Sequence, residues 1–376
     1  MMLVLTGGGT GGHVYPNLAV AEALRRRPEA VLAYVGSARG MERGIVSQAQ
    51  VPFHAVASAP LLGASPLGLA RGLLALAQGI TQAYRLLDRL GASAVLATGG
   101  YVSVPVVIAA RLRGIPSLVY LPDIVPGLAV RLLARVADRV ATTHPSSLGH
   151  LPSEKVVVTG YPVRPEVGAW SRAASRERLG LPIDGLVLLI WGGSRGARSI
   201  NQAVLRDLET LTEGASVLHI TGEDGVVEAL ARRATLGAVA LGRYHVYEYL
   251  HEEFAAALAA ADLTVSRAGA SVLGEYPAAG LPSVLVPYPG LVRQRENAQA
   301  LVEAGGAVIV ADDALEELLP VLHDLLARPG RLAQMTENVR SLAPAAPAAE
   351  EIARLLIGLA TREAASERTL SASREG

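Results

Sequence analysis

At 376 residues, with hydrophobic residues at 51% and charged residues at 18%, the chain is long enough for two separately cored domains and too apolar for a disordered one. Its 34 Lys and Arg balance 34 Asp and Glu with no long basic run, which argues against a nucleic-acid partner. Cysteine is absent, so disulfides, thiol nucleophiles and Cys-based metal sites are excluded.

The opening apolar run, 2–6, leads into Thr6-Gly7-Gly8-Gly9-Thr10-Gly11-Gly12-His13 and then a helix-period segment over 17–26. Further short apolar runs follow at 30–35, 53–56, 94–98, 117–120, 139–142 and 155–158, with helical segments between them, such as 127–137. Near Gly160-Tyr161-Pro162-Val163-Arg164-Pro165 two prolines flank an extended segment, and the domain boundary is placed there, giving domains over 1–160 and 161–342. The second half repeats the alternation, with runs at 186–191, 216–221, 244–246, 263–265, 283–286 and 307–310 and a helix over 271–279. This alternation predicts an α/β fold with two parallel sheets built from βαβ units. Ala343-Pro344-Ala345-Ala346-Pro347 interrupts the last helical stretch, which resumes over 348–360, and 361–376 reads as a solvated, flexible tail. No cationic leader precedes an apolar core at the start, and no apolar stretch reaches the ~18 residues of a spanning helix. The expectation is therefore a cytoplasmic protein.

Glycines in the first loop let backbone N–H groups approach an anion, and the following helix adds its positive end. There is no Gly-Lys-Ser/Thr, and Lys155 is the only lysine, so this is not a nucleotide-hydrolysing P-loop. The second apolar run ends in Val35-Gly36-Ser37 without the acid of the dinucleotide fingerprint. His13 at the loop–helix edge can accept a proton near neutral pH or cap the turn. A second loop of the same kind, Gly192-Gly193-Ser194-Arg195-Gly196-Ala197-Arg198, opens the second half. Two such loops suggest two α/β domains facing a phosphate-binding cleft. Arg195 and Arg198 read as surface charges, whereas Arg164 suits a bidentate diphosphate contact. In Ser266-Arg267-Ala268-Gly269-Ala270-Ser271-Val272-Leu273-Gly274-Glu275, Glu275 lies one helical turn past Ser271 and suits the two hydroxyls of a ribose; an exposed helix glutamate is the plain alternative. Gln294 and Asn297 are helically spaced groups able to hydrogen-bond a sugar, or simply solvated.

Taken together, these motifs resemble the MurG family of glycosyltransferases, which moves N-acetylglucosamine (GlcNAc) from UDP-GlcNAc to undecaprenyl-diphospho-N-acetylmuramoyl-pentapeptide (lipid I), giving lipid II. The matching stretches run through Thr10-Gly11-Gly12-His13-Val14-Tyr15-Pro16, Thr98-Gly99-Gly100-Tyr101-Val102-Ser103, Pro126-Gly127-Leu128-Ala129, 160–164, 192–198 with Asn201, 266–275 and 294–298. The resemblance implies a GT-B fold of two Rossmann-like domains, with the 348–360 helix returning to the first. It implies that Glu275 holds the donor ribose and that Ser194 and Arg164 hold its diphosphate. Arg267, Ala270 and Ser271 would close around the donor, Gln294 and Asn297 would meet the GlcNAc, and Tyr249 and Leu250 would pack on uracil. Thr10, Gly11, Gly12, Tyr101 and Asp123 fall on the acceptor side, with His13 as the candidate base. The implied reaction inverts the anomeric carbon. No Asp-x-Asp pair stands in a suitable loop, so no obligatory metal or other cofactor is expected, although magnesium could assist.

Where the family usually has His-Glu-Gln-Asn, this chain has Tyr120-Leu121-Pro122-Asp123, and Arg293 replaces a common histidine before Gln294. Leucine cannot supply a glutamate's acid–base role, which keeps two alternatives open: a related transferase acting on another lipid acceptor such as diacylglycerol, or a sugar-nucleotide-binding protein that has lost catalysis. Leu69, Leu73, Leu76, Ile80 and Leu87 follow helical spacing with Arg71, Arg85 and Arg89 beside them. That stripe packs either on its own sheet or on an anionic membrane. With a polyprenyl-linked acceptor, the expectation is a peripheral protein on the cytoplasmic membrane face.

Overall fold

A computed structural model describes residues 1–59, 66–193, 196–251 and 253–372, the side chains of 66, 67, 69 and 362–372 excepted. The chain divides into two compact units, Met1–Arg164 with Pro344–Gly376, and Pro165–Ala343. The chain thus leaves the first unit after Arg164 and re-enters it at Pro344.

The first unit is built on a seven-stranded, all-parallel sheet. Its strands are β1 (Met2–Thr6), β2 (Val31–Ser37), β3 (Phe53–Val56), β4 (Ala92–Ala97), β5 (Ser117–Leu121), β6 (Arg139–Thr142) and β7 (Val156–Val158). They lie side by side in the order 3-2-1-4-5-6-7. Successive residues of one strand feed opposite faces of the sheet, because the side-chain period is two. Leu3, Leu5, Leu96 and Leu118 pack on one face with Leu24 and with Ile352 and Leu356 of the last helix. Val4, Val95, Ala97 and Val119 pack on the other with Leu87 and Val106.

The second unit carries β8 (Val187–Trp191), β9 (Ser216–Ile220), β10 (Tyr244–Tyr247), β11 (Leu263–Ser266), β12 (Ser283–Leu285) and β13 (Ala307–Ile309). Their order, 10-9-8-11-12-13, repeats the pattern of the first sheet. In each sheet the strand order reverses direction once, between β1 and β4 and between β8 and β11. Ligands of such sheets bind outside the carboxyl ends of the strands at that reversal.

The last helix spans Ala348–Ala372 and packs against the Gly11–Arg25 helix and β4. It continues past position 360, where polarity alone suggests a tail. The segment 362–368, Arg-Glu-Ala-Ala-Ser-Glu-Arg, is polar yet rich in strong helix formers, so it extends a helix already nucleated by packing.

Candidate active site

Both glycine loops leave the strands that border the two reversal points. The first follows β1, and Thr10 caps the Gly11–Arg25 helix with extended backbone (φ −148°, ψ 156°). The turn Thr98-Gly99-Gly100-Tyr101 follows β4 beside it. Gly100 has φ +79°, and a Cβ there would run into the Gly8 carbonyl, so only glycine lets the two loops meet. The Tyr101 ring lies against Gly9, within 3.4 Å of where its Cβ would stand.

His13 sits half-buried in the first turn of this helix, its Nδ1 2.8 Å from the Thr98 carbonyl. A carbonyl only accepts, so Nδ1 carries the proton and Nε2 of the neutral ring carries the lone pair. The imidazole is therefore in the tautomer that a base needs. Arg164 ends the first unit with its guanidinium 5.4 Å from the centre of the Tyr15 ring, on the His13 helix.

A residue that the sequence does not single out supports this loop from below. Glu42 is fully buried (0% exposed), and its carboxylate accepts the N–H of Ser37 at 2.9 Å and of Gly9 at 3.3 Å. Side chains at Gly8, Gly36 or Gly40 would collide with it. Those glycines signal the crowding, but nothing local marks the glutamate as their cause.

The segment 120–123 needs a revised reading. Tyr120 and Leu121 end β5 fully buried in the two cores flanking the sheet. The Tyr120 hydroxyl is 2.6 Å from Thr143 Oγ1, and burial, partly offset by this bond, raises its pKa well above the usual phenol value. Two of the four departures therefore change the packing of the strand. Only Asp123, half-buried beyond Pro122, brings an ionisable group to the loop.

In the second unit the glycine loop follows β8 and opens the Arg198–Arg206 helix; Ser194 and Arg195 lie outside the described residues. A Cβ at Gly196 (φ +78°) would strike the Thr221 carbonyl at the end of β9. That carbonyl also accepts from Asn201 Nδ2 at 2.8 Å. Asn201 Oδ1 in turn takes the Nε2–H of His219 at 3.0 Å, while the Tyr244 hydroxyl donates to His219 Nδ1 at 2.9 Å. Burial of His219 pulls its pKa down to about 3. A neutral ring thus braces the strand end beneath the loop.

The 267–271 loop follows β11 on the other side of the reversal. Arg267 donates to Asp312 at 2.6 Å and to Ser199 Oγ at 2.8 Å, and Ser199 donates to Asp312 at 2.7 Å. These bonds tie the loop to the helix of the glycine loop and to the segment after β13, with Arg267 also over the Tyr288 ring at 5.2 Å. Ala270 and Ser271 lead into the Val272–Ala279 helix. Its Glu275 is 7% exposed, and its N–H donates to the Ser271 carbonyl at 2.8 Å.

Gln294 Oε1 accepts the Tyr288 N–H at 2.8 Å, which leaves its amide nitrogen directed by that anchor. Asn297 is fully buried and donates to the Ala268 carbonyl at 3.2 Å. It therefore ties the loop to the Val292–Glu303 helix. Tyr249 and Leu250 follow β10 at the same carboxyl edge, with the Tyr249 ring 4.6 Å from His251. The described residues of the second unit that the motifs point to thus follow the carboxyl ends of its parallel strands β10, β11 and β12. Among the described residues, no three His, Asp or Glu side chains group as a metal site.

Comparison with known proteins matches this arrangement. Residues 3–142 match the glycosyltransferase family 28 N-terminal domain and residues 187–352 the family 28 C-terminal domain. A protein of Roseiflexus sp. (strain RS-1), named UDP-N-acetylglucosamine–N-acetylmuramyl-(pentapeptide) pyrophosphoryl-undecaprenol N-acetylglucosamine transferase, is 42% identical over 95% of both chains. The chain belongs to the MurG family of glycosyltransferases. A relative of the same name from Desulforudis audaxviator (strain MP104C) is 44% identical, covering 91% of this chain and 94% of its own. The crystal structure of Acinetobacter baumannii MurG superposes with a TM-score of 0.74 at 28% identity, covering 95% of this chain and 99% of that one. The MurG fold is therefore the GT-B arrangement of two parallel-sheet units expected from the motifs.

Proposed function

We propose that this chain transfers GlcNAc from UDP-GlcNAc to lipid I with inversion, giving lipid II for peptidoglycan. The supporting observation is that the 267–271 loop and Glu275 follow β11 at the β8–β11 reversal, with Gln294 on the helix after neighbouring β12, in a chain 42% identical over 95% of its length to a transferase of that name. The second unit takes the donor, with Glu275 on the ribose, Gln294 on the GlcNAc and the 249–250 segment on the base. The first unit takes the acceptor at its glycine loops, with Asp123 and Tyr101 beside them.

In the reaction a muramoyl hydroxyl attacks the anomeric carbon as the bond to the UDP oxygen breaks. UDP leaves with the electron pair, and the hydroxyl proton passes to His13 Nε2. Charge grows on the departing diphosphate, so Arg164, Ser194 and helix-end N–H groups favour the transition state over the ground state. Magnesium on the diphosphate would add to that effect without being required.

The acceptor's polyprenyl chain calls for a membrane surface, and the first unit offers an apolar and basic one. Leu128, Leu132 and Val136 stand exposed at four-residue spacing on the Leu128–Val136 helix, with Arg131 and Arg135 exposed between them. The Ser103–Leu112 helix packs beside it and ends in exposed Leu112, and the Pro66–Leu90 helix beyond exposes Leu73 and Leu74. The stripe expected on that last helix divides: Leu87 is core, Leu73 faces solvent, the Leu69 side chain is not described, and residues 60–65 lie outside the described residues. Among the described residues no helix is long and apolar enough to cross a membrane. Peripheral docking on the cytoplasmic face fits these features.

Calorimetric titration with UDP-GlcNAc tests the donor half: Glu275→Ala should weaken binding at least about tenfold, as loss of a charged hydrogen-bond partner does. Equal binding by the two proteins would overturn the donor assignment.

A further inference from the structure

One residue grips His13 twice. Thr98, 1% exposed just past β4, accepts the imidazole Nδ1–H on its carbonyl at 2.8 Å, and its hydroxyl donates to the His13 backbone carbonyl. The direction of that hydroxyl is set from the other side. Asn17, one helical turn beyond His13, donates from Nδ2 to Thr98 Oγ1 at 3.0 Å. With one lone pair held by that amide, the Thr98 proton goes to the His13 carbonyl, the nearer of the two it reaches, the Thr6 carbonyl standing 3.5 Å away.

The same amide nitrogen reaches the Thr6 carbonyl at 3.0 Å and the Tyr34 hydroxyl at 3.3 Å, and Tyr34 donates to the Gly7 carbonyl at 2.8 Å. Asn17 is fully buried, and its Oδ1 has no hydrogen-bond partner among the described residues. What the amide contributes here is therefore its NH2 group. It joins the ends of β1 and β4 to the helix that carries the imidazole.

We propose that Thr98 and Asn17 are positioning residues for the transfer: Asn17 orients the Thr98 hydroxyl, and Thr98 fixes His13 by ring and backbone so that Nε2 presents its lone pair in one direction. This rests on the reading of His13 as the base. Both are buried, so each acts through His13. Their effect is to remove ring rotation and tautomer exchange from the work of reaching the transition state.

A mutant cycle on transfer from UDP-GlcNAc to lipid I tests the proposal, with UDP binding as the check on folding of the second unit and circular dichroism for the whole chain. His13→Ala should lower kcat by about a hundred- to ten-thousandfold, the usual worth of a general base. Thr98→Val, which keeps the shape and loses the hydroxyl, should lower kcat by about ten- to a hundredfold with KM for UDP-GlcNAc little moved. Thr98→Ser should lose less than Thr98→Val. In the His13→Ala background, Thr98→Val should change kcat by less than about twofold, because the group it positions is gone. A full Thr98→Val loss on top of His13→Ala would show a structural role only and overturn the proposal. An undiminished kcat in His13→Ala would instead overturn the base reading itself. Should Thr98→Val not fold, Asn17→Leu runs the same cycle with the same two readings.

Discussion

His219→Gln should remove a specific part of the acid sensitivity of the second unit. His219 is fully buried, with Nε2–H on Asn201 and Nδ1 receiving the Tyr244 hydroxyl; a second proton would bury a charge and turn the Tyr244 O–H away from Nδ1. Burial therefore lowers its pKa from 6.5 to about 3. The unfolded chain binds a proton near pH 6.5 and the folded chain does not, so the stability from this group is complete above 6.5. It is lost progressively as pH falls from 6.5 toward 3. Between pH 7.5 and 5 the loss is about 2 kcal/mol, from about 1.4 kcal/mol per unit below the unfolded pKa.

The two tryptophans, Trp170 and Trp191, both lie in the second unit, so fluorescence-monitored urea unfolding reports on that unit. His245 is half-buried and its pKa is also lowered, by burial and then by Arg233, so the comparison must be between wild type and variant at each pH. Wild type should lose about 2 kcal/mol more than His219→Gln between pH 7.5 and 5. Parallel losses would refute the buried, neutral histidine.

Three more outcomes follow from particular contacts. Arg176, 3% exposed, donates to the carbonyls of Ala260, Ile183 and Gly185 and to Asp262 at 2.7 Å; Arg176→Ala should cost about 3–5 kcal/mol in the same unfolding assay, and a loss under about 1 kcal/mol would contradict the buried pair. Gly196→Ala meets both a positive φ and the Thr221 carbonyl, so it should destabilise the unit by more than about 1 kcal/mol and raise KM for UDP-GlcNAc; an unchanged KM would separate that loop from the donor. Leu73→Glu with Leu132→Glu should weaken sedimentation with anionic vesicles at least about tenfold, since each leucine loses burial worth about 1.5–3 kcal/mol; undiminished binding would contradict docking through these helices.

The strands are legible in the sequence because parallel sheets covered on both faces need near-continuous apolar runs, and runs such as 2–6 and 186–191 stand out between helical periods. The glycine loops are legible for the same local reason: strand, glycines and helix follow one another directly. What sequence does not reveal are partnerships made across the chain. Glu42 lies 33 residues from the glycine it supports, and Asp312 lies 45 from Arg267; each reads locally as an ordinary surface acid. Asn297 resembles a sugar ligand by helical spacing, but the face it occupies is packed against the 267–271 loop. Tyr120-Leu121 reads as a change of chemistry because the motif comparison aligns the pair with polar residues. Burial at the end of β5 makes them packing residues.

Transfer of labelled GlcNAc from UDP-GlcNAc in detergent, with lipid I and diacylglycerol offered side by side, tests the reaction itself. Labelled lipid II from the wild type, lost in Glu275→Ala, is the predicted result. Labelled glycolipid with lipid I untouched, or donor bound but transferred to neither, would contradict it.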